Sequence, residues 1–127
     1  MWQYDKFSNS FVPGVLPSDG SQINACYTRL SQEDELEGDS GSILNQRDFL
    51  LKYCTDLHLP KVFFFSDDGY SGVTFDRPGF KELMELVDQG RVKSIIVKDH
   101  SRLGRNRLAV GLLMERFEDC GARYLNE

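Results

Sequence analysis

Four cationic side chains lie within ten positions of one another, immediately after a short apolar segment that is predicted to be a strand (residues 94–97). They are Lys98, Arg102, Arg105 and Arg107, in a chain whose formal net charge is −5. Local positive charge on an acidic background favours binding of an anion, and phosphate is the usual candidate. The alternative is a solvated helix start.

Two other segments carry groups that suit phosphate chemistry: residues 27–31 (YTRLS) and residues 67–80 (DDGYSGVTFDRPGF). Cleaving a phosphodiester by transfer needs a nucleophile, compensation of the phosphoryl charge and a proton donor for the leaving group. A serine hydroxyl is a weak nucleophile that must be activated. His58 lies at a predicted helix end, which leaves His100 as the only alternative histidine base. Arginines can instead favour the alkoxide and bind phosphate oxygens in a bidentate manner.

The elements that must position these groups alternate along the chain. Apolar segments predict strands, and apolar residues at helical spacing predict helices. The strands are 23–29, 61–66, 94–98 and 122–125, and the helices are 42–57, 78–89 and 106–120. Ser42 is a predicted N-cap, Pro78 a first helical residue, and Gly90 and Gly121 helix stops. The inward face of the first helix is predicted to contain Ile43, Leu50, Tyr53, Cys54 and Leu57.

This β-α-β-α-β-α-β alternation predicts a parallel sheet with helices on both faces, a three-layer α/β/α domain. Ligands bind such sheets at the carboxyl ends of the strands, where all three polar segments meet. Residues 1–21 mix aromatic residues with Pro and Gly, so we predict an irregular N-terminal arm without its own core and a domain spanning 22–127.

The three segments together resemble the catalytic domain of the serine recombinases, the resolvase/invertase family. The matching motifs are Tyr-x-Arg-x-Ser at 27–31, Ser-Gly-x-x-x-x-Arg at 71–77 and Arg-Leu-Gly-Arg at 102–105. The resemblance covers roughly 23–127 and is closer to the large serine recombinases carried by mobile elements of Gram-positive bacteria. It implies a resolvase-like, mainly parallel sheet of strand order 2-1-3-4.

The resemblance also implies the roles of individual residues. Ser31 matches the nucleophile, which would attack the DNA phosphate and leave a 5′-phosphoserine linkage and a free 3′-hydroxyl. The other matching site residues are Arg29, Gln46, Ser71, Arg77, Arg102 and Arg105. The bond energy would stay in the protein–DNA linkage, so the reaction needs no ATP, metal or other cofactor.

Two departures from the family pattern matter. Small resolvases have an aspartate directly before Arg-Leu-Gly-Arg, whereas this chain has Ser101 there and Asp99 two residues earlier. The family also continues with a further strand and a long helix that builds the dimer and leads to a DNA-binding region. This chain stops at Glu127, so we expect an excised or truncated domain that does not recombine DNA on its own.

The implied partners are DNA, bound mainly through that further region, and copies of the same protein in dimers and tetramers. Phosphate neutralisation by Lys and Arg supplies most DNA affinity, so an acidic chain is expected to bind DNA poorly by itself. No apolar run reaches the ~20 residues that span a bilayer. We expect a cytoplasmic bacterial protein, associated with the nucleoid when it acts.

Two other functions remain open. A receiver-like phosphoacceptor could bind Mg²⁺ through Asp67 and Asp68 and use Lys98, but that fold needs acidic residues after its first strand, where Arg29 and Ser31 stand. A catalytically silent remnant could act as an association module. Three widely spaced cysteines (Cys26, Cys54 and Cys120) indicate neither a disulfide framework nor a metal site. Cys26 in a strand and Cys54 on an apolar helix face are predicted to be buried thiols.

Overall fold

A computed structural model describes residues 1–30 and 42–126, which form a six-stranded sheet with helices on both faces. The chain order of these elements is β-β-β-α-β-α-β-α-β, with a short 3-10 helix before the last α-helix. The strands are β1 (Trp2–Asp5), β2 (Ser10–Pro13), β3 (Ile23–Leu30), β4 (Val62–Asp68), β5 (Val92–Val97) and β6 (Arg123–Asn126). The helices are α1 (Ile43–Asp56), α2 (Pro78–Asp88) and α3 (Arg107–Asp119), and the 3-10 helix is His100–Arg102.

The four predicted strands form a parallel sheet in the predicted order. The whole sheet has the order β2-β1-β4-β3-β5-β6, and β3 pairs in parallel with both β4 and β5 while β5 pairs with β6. The order 2-1-3-4 is therefore confirmed within a larger sheet. Every residue of β3 is buried, as expected for a central strand with both faces covered.

The prediction of an irregular arm over residues 1–21 is wrong for its first part. Strands β1 and β2 form an antiparallel hairpin, and β1 adds to the edge of β4 through the pairs Trp2↔Phe64 and Gln3↔Phe63. The ring of Phe11 meets that of Phe64 edge-on, with centroids 5.0 Å apart. Strand β4, which is distant in sequence, therefore stabilises the hairpin.

The two faces of the sheet bury separate apolar clusters. On one face, Cys26, Phe64 and Ile96 pack against Leu50 and Cys54 of α1. The other face packs against α2 and α3 in a larger cluster; its helical members include Phe80, Leu83, Met84, Leu113 and Phe117. The three-layer α/β/α arrangement is thus confirmed.

The helix boundaries follow the predicted signals. The Ser42 hydroxyl accepts a hydrogen bond from the Asn45 N–H at 3.1 Å, and Pro78 opens α2. The prediction that Leu57 lies on the inward face of α1 is wrong. Leu57 is the C-cap and is 47% exposed, because the helix ends one residue earlier. No helix in the described ranges is long and apolar enough to cross a membrane.

Candidate active site

Three segments meet at the carboxyl ends of β3, β4 and β5, as predicted. The N–H of Gly69, which follows β4, donates to the carbonyl of Leu30 at 2.6 Å. The N–H of Arg105, beyond β5, donates to the carbonyl of Gly72 at 3.0 Å. These backbone hydrogen bonds bring the loops after the three strands together at one edge of the sheet.

Arg29 links all three segments although its side chain has no exposed surface. From the penultimate position of β3, Nη1 donates to the carbonyl of Tyr70 at 3.1 Å and Nη2 to that of Ser101 at 2.6 Å. A permanently charged guanidinium is therefore held at the strand end that immediately precedes Ser31. Ser31 itself lies outside the described residues.

Arg102 is also completely buried and approaches the same strand end. Its Nη1 donates to the carbonyl of Arg29 at 3.2 Å, and its Nη2 lies 3.7 Å from Oδ2 of Asp99. Oδ1 of Asp99 accepts from the Ser101 N–H at 3.0 Å and from the Ser101 hydroxyl. Asp99 and Ser101 thus close the turn that directs Arg102 toward β3.

Gln46 of α1 fixes the backbone at the same point. Its side-chain Nε2 donates to the Arg29 carbonyl at 3.1 Å, and its Oε1 accepts from the Arg29 N–H at 3.3 Å. Gln46 is nearly inaccessible, with 2% exposure, as expected for a buried amide whose groups are paired. The structure therefore brings Gln46 to the site as a residue that positions β3.

Arg77 is in the same cluster, but its guanidinium contacts protein groups behind the turn. Nη1 donates to the Tyr27 hydroxyl and to the Arg102 carbonyl, each at 3.0 Å, and Nη2 donates to the Leu103 carbonyl. The guanidinium carbon lies 4.8 Å from the ring centroid of Phe80. Burial lowers the pKa of Arg77. These contacts give Arg77 a supporting position under residues 102–103.

Tyr27 and Asp67 complete this buried network. Neither is among the residues predicted for the recombinase site, and Asp67 was named only as a Mg²⁺ ligand of the receiver-like alternative. The Tyr27 hydroxyl donates to Oδ2 of Asp67 at 2.7 Å, and burial raises the pKa of that hydroxyl. Asp67 also accepts from the N–H groups of Gly79 and Phe80 at 2.8 and 2.9 Å. The sequence signal that could have identified Tyr27 was its position in the motif at 27–31. Nothing in the sequence indicated that the Asp67 carboxylate anchors the start of α2.

These contacts also weaken the receiver-like alternative. Asp67 is 3% exposed, and both of its oxygens accept hydrogen bonds from the protein. Among the described residues, no group of three or more His, Cys, Asp or Glu side chains is arranged to hold a metal ion. A carboxylate engaged in this way is poorly placed to bind Mg²⁺, which needs open oxygen ligands.

Ser71 and Arg105 lie on the accessible side of the cluster. The Ser71 hydroxyl accepts from the Val73 N–H at 3.1 Å, and Arg105 is exposed. Gly72, between them, allows close packing: an added Cβ would lie 2.9 Å from Nη2 of Arg29 and 3.1 Å from Cγ of Arg105. The motif at 71–77 includes Gly72 without assigning it a role. The structure shows that the absent side chain lets two arginines approach.

His100, the only alternative histidine, lies beside the cluster on the side of β6. Its Nδ1 is 3.0 Å from the Tyr124 hydroxyl, and the two rings lie 5.3 Å apart. Burial raises the pKa of Tyr124.

The arrangement at the sheet edge is a set of arginines held by backbone carbonyls, suited to binding a phosphate and stabilising the charge that develops on it.

Comparison with known proteins agrees with this geometry. Residues 24–124 match the family model for the resolvase N-terminal domain. No match is found among curated proteins. Among solved structures, the N-terminal catalytic domain of TP901-1 integrase has 25% identity and a TM-score of 0.69, with 83% of this chain and 76% of that chain covered.

Two further structures are similar. The C-terminal catalytic domain of ISC1926 TnpA, an IS607-like serine recombinase, has 25% identity and a TM-score of 0.67, with 82% of this chain and 67% of that chain covered. A resolvase family site-specific recombinase from Streptococcus pneumoniae has 21% identity and a TM-score of 0.65, with 84% and 72% covered, and supports the fold alone. The chain belongs to the resolvase family and contains the catalytic domain of a serine recombinase.

Proposed function

We propose that this chain is the catalytic domain of a site-specific recombinase that cleaves and rejoins DNA through a 5′-phosphoserine intermediate formed on Ser31. The observation that carries the proposal is the placement of Arg29 and Arg102. Both guanidinium groups are fully buried and held at the end of β3, whose last residue, Leu30, directly precedes the proposed nucleophile. Fixed positive charge at that point favours both a serine alkoxide and a phosphate.

The reaction is an in-line transfer at phosphorus. The Ser31 Oγ forms a bond to the DNA phosphorus, the bond from phosphorus to the 3′-oxygen breaks, and a proton reaches that leaving oxygen. The Ser31 hydroxyl loses its own proton as it attacks. Because one phosphate ester replaces another, rejoining reverses the step and needs no ATP.

The arginines and their neighbours have different roles in this reaction. Arg105 is exposed beside Gly72 and contacts the phosphate of bound DNA. Arg29 and Arg102 stabilise the charge on the phosphoryl oxygens. Gln46 and Arg77 position the strand end and residues 102–103. The Ser71 hydroxyl orients the substrate in this proposal.

We infer that the substrate is double-stranded DNA at a specific site and that copies of the protein pair on it. Strand exchange requires cleaved ends to be held by several protein copies at once, because each copy has a single proposed nucleophile. The acidic charge of this chain, −5, supports a separate region as the main source of DNA affinity.

Replacement of the nucleophile tests the proposal. Ser31→Ala, produced from the complete coding sequence, is expected to bind its site and fold normally but to show no cleavage of DNA. Ser21→Ala is the matched control, because Ser21 precedes β3 as Ser31 follows it. Normal cleavage by Ser31→Ala would refute the assignment. Site binding without cleavage by the unmodified protein would favour a non-catalytic association module.

A further inference from the structure

Two cysteines that are distant in sequence face each other inside the domain. Cys26 lies in the central strand β3 and Cys54 in α1, and their Sγ atoms are 3.5 Å apart. Their exposed fractions are 0% and 1%. They share an apolar cluster with Leu50, Phe64 and Ile96. All three cysteines are free thiols, and the third, Cys120, lies at the C-cap of α3.

The distance between the sulfurs is short enough for covalent pairing. A disulfide bond is about 2.05 Å long, so the sulfurs need to approach by about 1.5 Å to form one. The other pairings involve Cys120, whose side chain packs with the cluster on the opposite face of the sheet. The fold therefore selects one of the three possible pairs.

One of the two thiols borders a cavity. Cys54 lines a cavity of 500 Å³ between α1 and the N-terminal hairpin, together with Tyr4, Leu51 and Phe64. Burial raises the pKa of the Cys26 thiol, whereas the hydrogen bond from Cys26 lowers the pKa of Cys54. The thiol next to the cavity is therefore the one that forms a thiolate more easily, and the thiolate is the reactive form.

We propose that Cys26 and Cys54 are an oxidative modification site that forms an intramolecular disulfide when the protein meets hydrogen peroxide. The Cys54 thiolate attacks one peroxide oxygen and the O–O bond breaks. Hydroxide leaves and becomes water, and Cys54 is now a sulfenic acid. The Cys26 sulfur then attacks the Cys54 sulfur, the S–O bond breaks, and the departing hydroxide leaves as water with the Cys26 proton. The two thiols lose two electrons and the peroxide gains them.

The disulfide would join the two elements that meet at the candidate site. Cys26 lies three residues before Arg29 in β3, and Cys54 lies eight residues after Gln46 in α1. Gln46 already holds the Arg29 backbone through two hydrogen bonds. Oxidation would thus add a covalent link between α1 and β3 beside this contact. Formation of this disulfide would not depend on the proposed DNA chemistry.

Peptide mapping of the whole chain tests the proposal without any substitution. The reduced protein is treated with hydrogen peroxide, remaining thiols are blocked with N-ethylmaleimide, and the product is unfolded and digested. We expect a mass lower by two hydrogen atoms before blocking, a Cys26–Cys54 linked peptide, and a blocked Cys120. The same treatment in denaturant is expected to yield all three pairings.

Two variants test which cysteines form the bond. Cys120→Ser is expected to form the same linked peptide at an unchanged rate, whereas Cys54→Ala, confirmed as folded by circular dichroism, is expected to form none. Recovery of Cys26 and Cys54 as blocked thiols under conditions that oxidise Cys120 would overturn the proposal. Cross-links that involve Cys120 in the folded protein would overturn it as well.

Discussion

At the scale of single residues, the candidate site depends on arginines that differ in exposure. Arg29, Arg77 and Arg102 have no exposed surface, whereas Arg105 is exposed. A buried guanidinium needs hydrogen-bond acceptors in place of water, and here backbone carbonyls accept from Nη atoms of all three buried arginines. The sequence motifs identified all four residues. They did not distinguish a buried supporting arginine from an exposed one, because the acceptors come from distant segments.

This difference in burial predicts different effects of two alanine substitutions. Arg77→Ala removes the donor to the Tyr27 hydroxyl and to the Arg102 and Leu103 carbonyls, so it is expected to lower the free energy of unfolding by about 3–5 kcal/mol. Arg105→Ala is expected to change it by less than about 0.5 kcal/mol. Urea unfolding followed by circular dichroism measures both.

In a cleavage assay Arg105→Ala is nevertheless expected to lose activity. The loss of one phosphate-contacting donor should raise the barrier by roughly 3–4 kcal/mol. Equal unfolding free energies for the two variants, or normal cleavage by Arg105→Ala, would contradict the division between a supporting and a contacting arginine.

Gly72 gives a second prediction at this scale. Its added Cβ would lie 2.9 Å from Nη2 of Arg29, a group that Tyr70 and Ser101 hold in place. Gly72→Ala is therefore expected to displace this guanidinium and lower the cleavage rate at least tenfold, with a stability loss of about 1–3 kcal/mol. Gly111→Ala is the control, because a Cβ there meets no atom within 4 Å. If the Gly72→Ala protein were as active as the Gly111→Ala protein, this would contradict the tight packing of Gly72 against the Arg29 guanidinium.

At the scale of elements, local signals predicted the helices well and the N-terminal hairpin not at all. Ser42, Pro78 and the glycines at 90 and 121 mark helix ends by short-range chemistry that a sequence displays directly. The hairpin depends instead on pairing with β4, about sixty residues away, and on aromatic contacts across elements. Such long-range stabilisation has no local signature.

The hairpin also secures α1 through Arg47. Its guanidinium carbon lies 5.4 Å from the Trp2 ring centroid and 5.3 Å from that of Phe11, and its Nη2 donates to the Ser66 hydroxyl at 3.1 Å. Burial lowers the pKa of Arg47. An arginine between two aromatic rings links the N-terminal strands to the helix that contains Gln46.

Trp2→Ala is expected to destabilise the domain by about 1–3 kcal/mol, because it removes apolar contact area and one cation–π partner. Phe7→Ala at the hairpin tip is the control. Its side chain is 92% exposed, so a change within about 0.5 kcal/mol is expected. Thermal or urea unfolding compares the two variants, and an unaffected Trp2→Ala protein would show that the hairpin contributes little to the domain.

At the scale of the whole molecule, the alternation of strands and helices was enough to predict the fold class, whereas the strand order of the parallel sheet was predicted from the family resemblance. The alternation also predicted that the polar segments meet at the carboxyl edge, because that edge follows from topology alone. The identity of the contacts at the edge could not be predicted, since they depend on loop conformations. The proposed nucleophile, Ser31, stays a prediction from the motif.

Net charge gives a prediction at this scale. The net charge is −5, with 15 Lys and Arg against 20 Asp and Glu, and three of the arginines (Arg29, Arg77 and Arg102) are fully buried. We expect this chain alone to bind a DNA duplex more weakly than a dissociation constant of about 10⁻⁴ M at physiological salt. Fluorescence anisotropy with a labelled duplex measures this. Micromolar binding would show that the catalytic domain itself supplies the affinity.

Covalent trapping on DNA tests the central claim most directly. The protein made from the complete coding sequence is incubated with its cognate site in EDTA, the reaction is stopped with denaturant, and peptides are searched for a nucleotide adduct. We predict a phosphate-linked adduct on Ser31 that is absent from Ser31→Ala. An adduct on another residue, or none despite demonstrated binding to the site, would contradict the proposed mechanism.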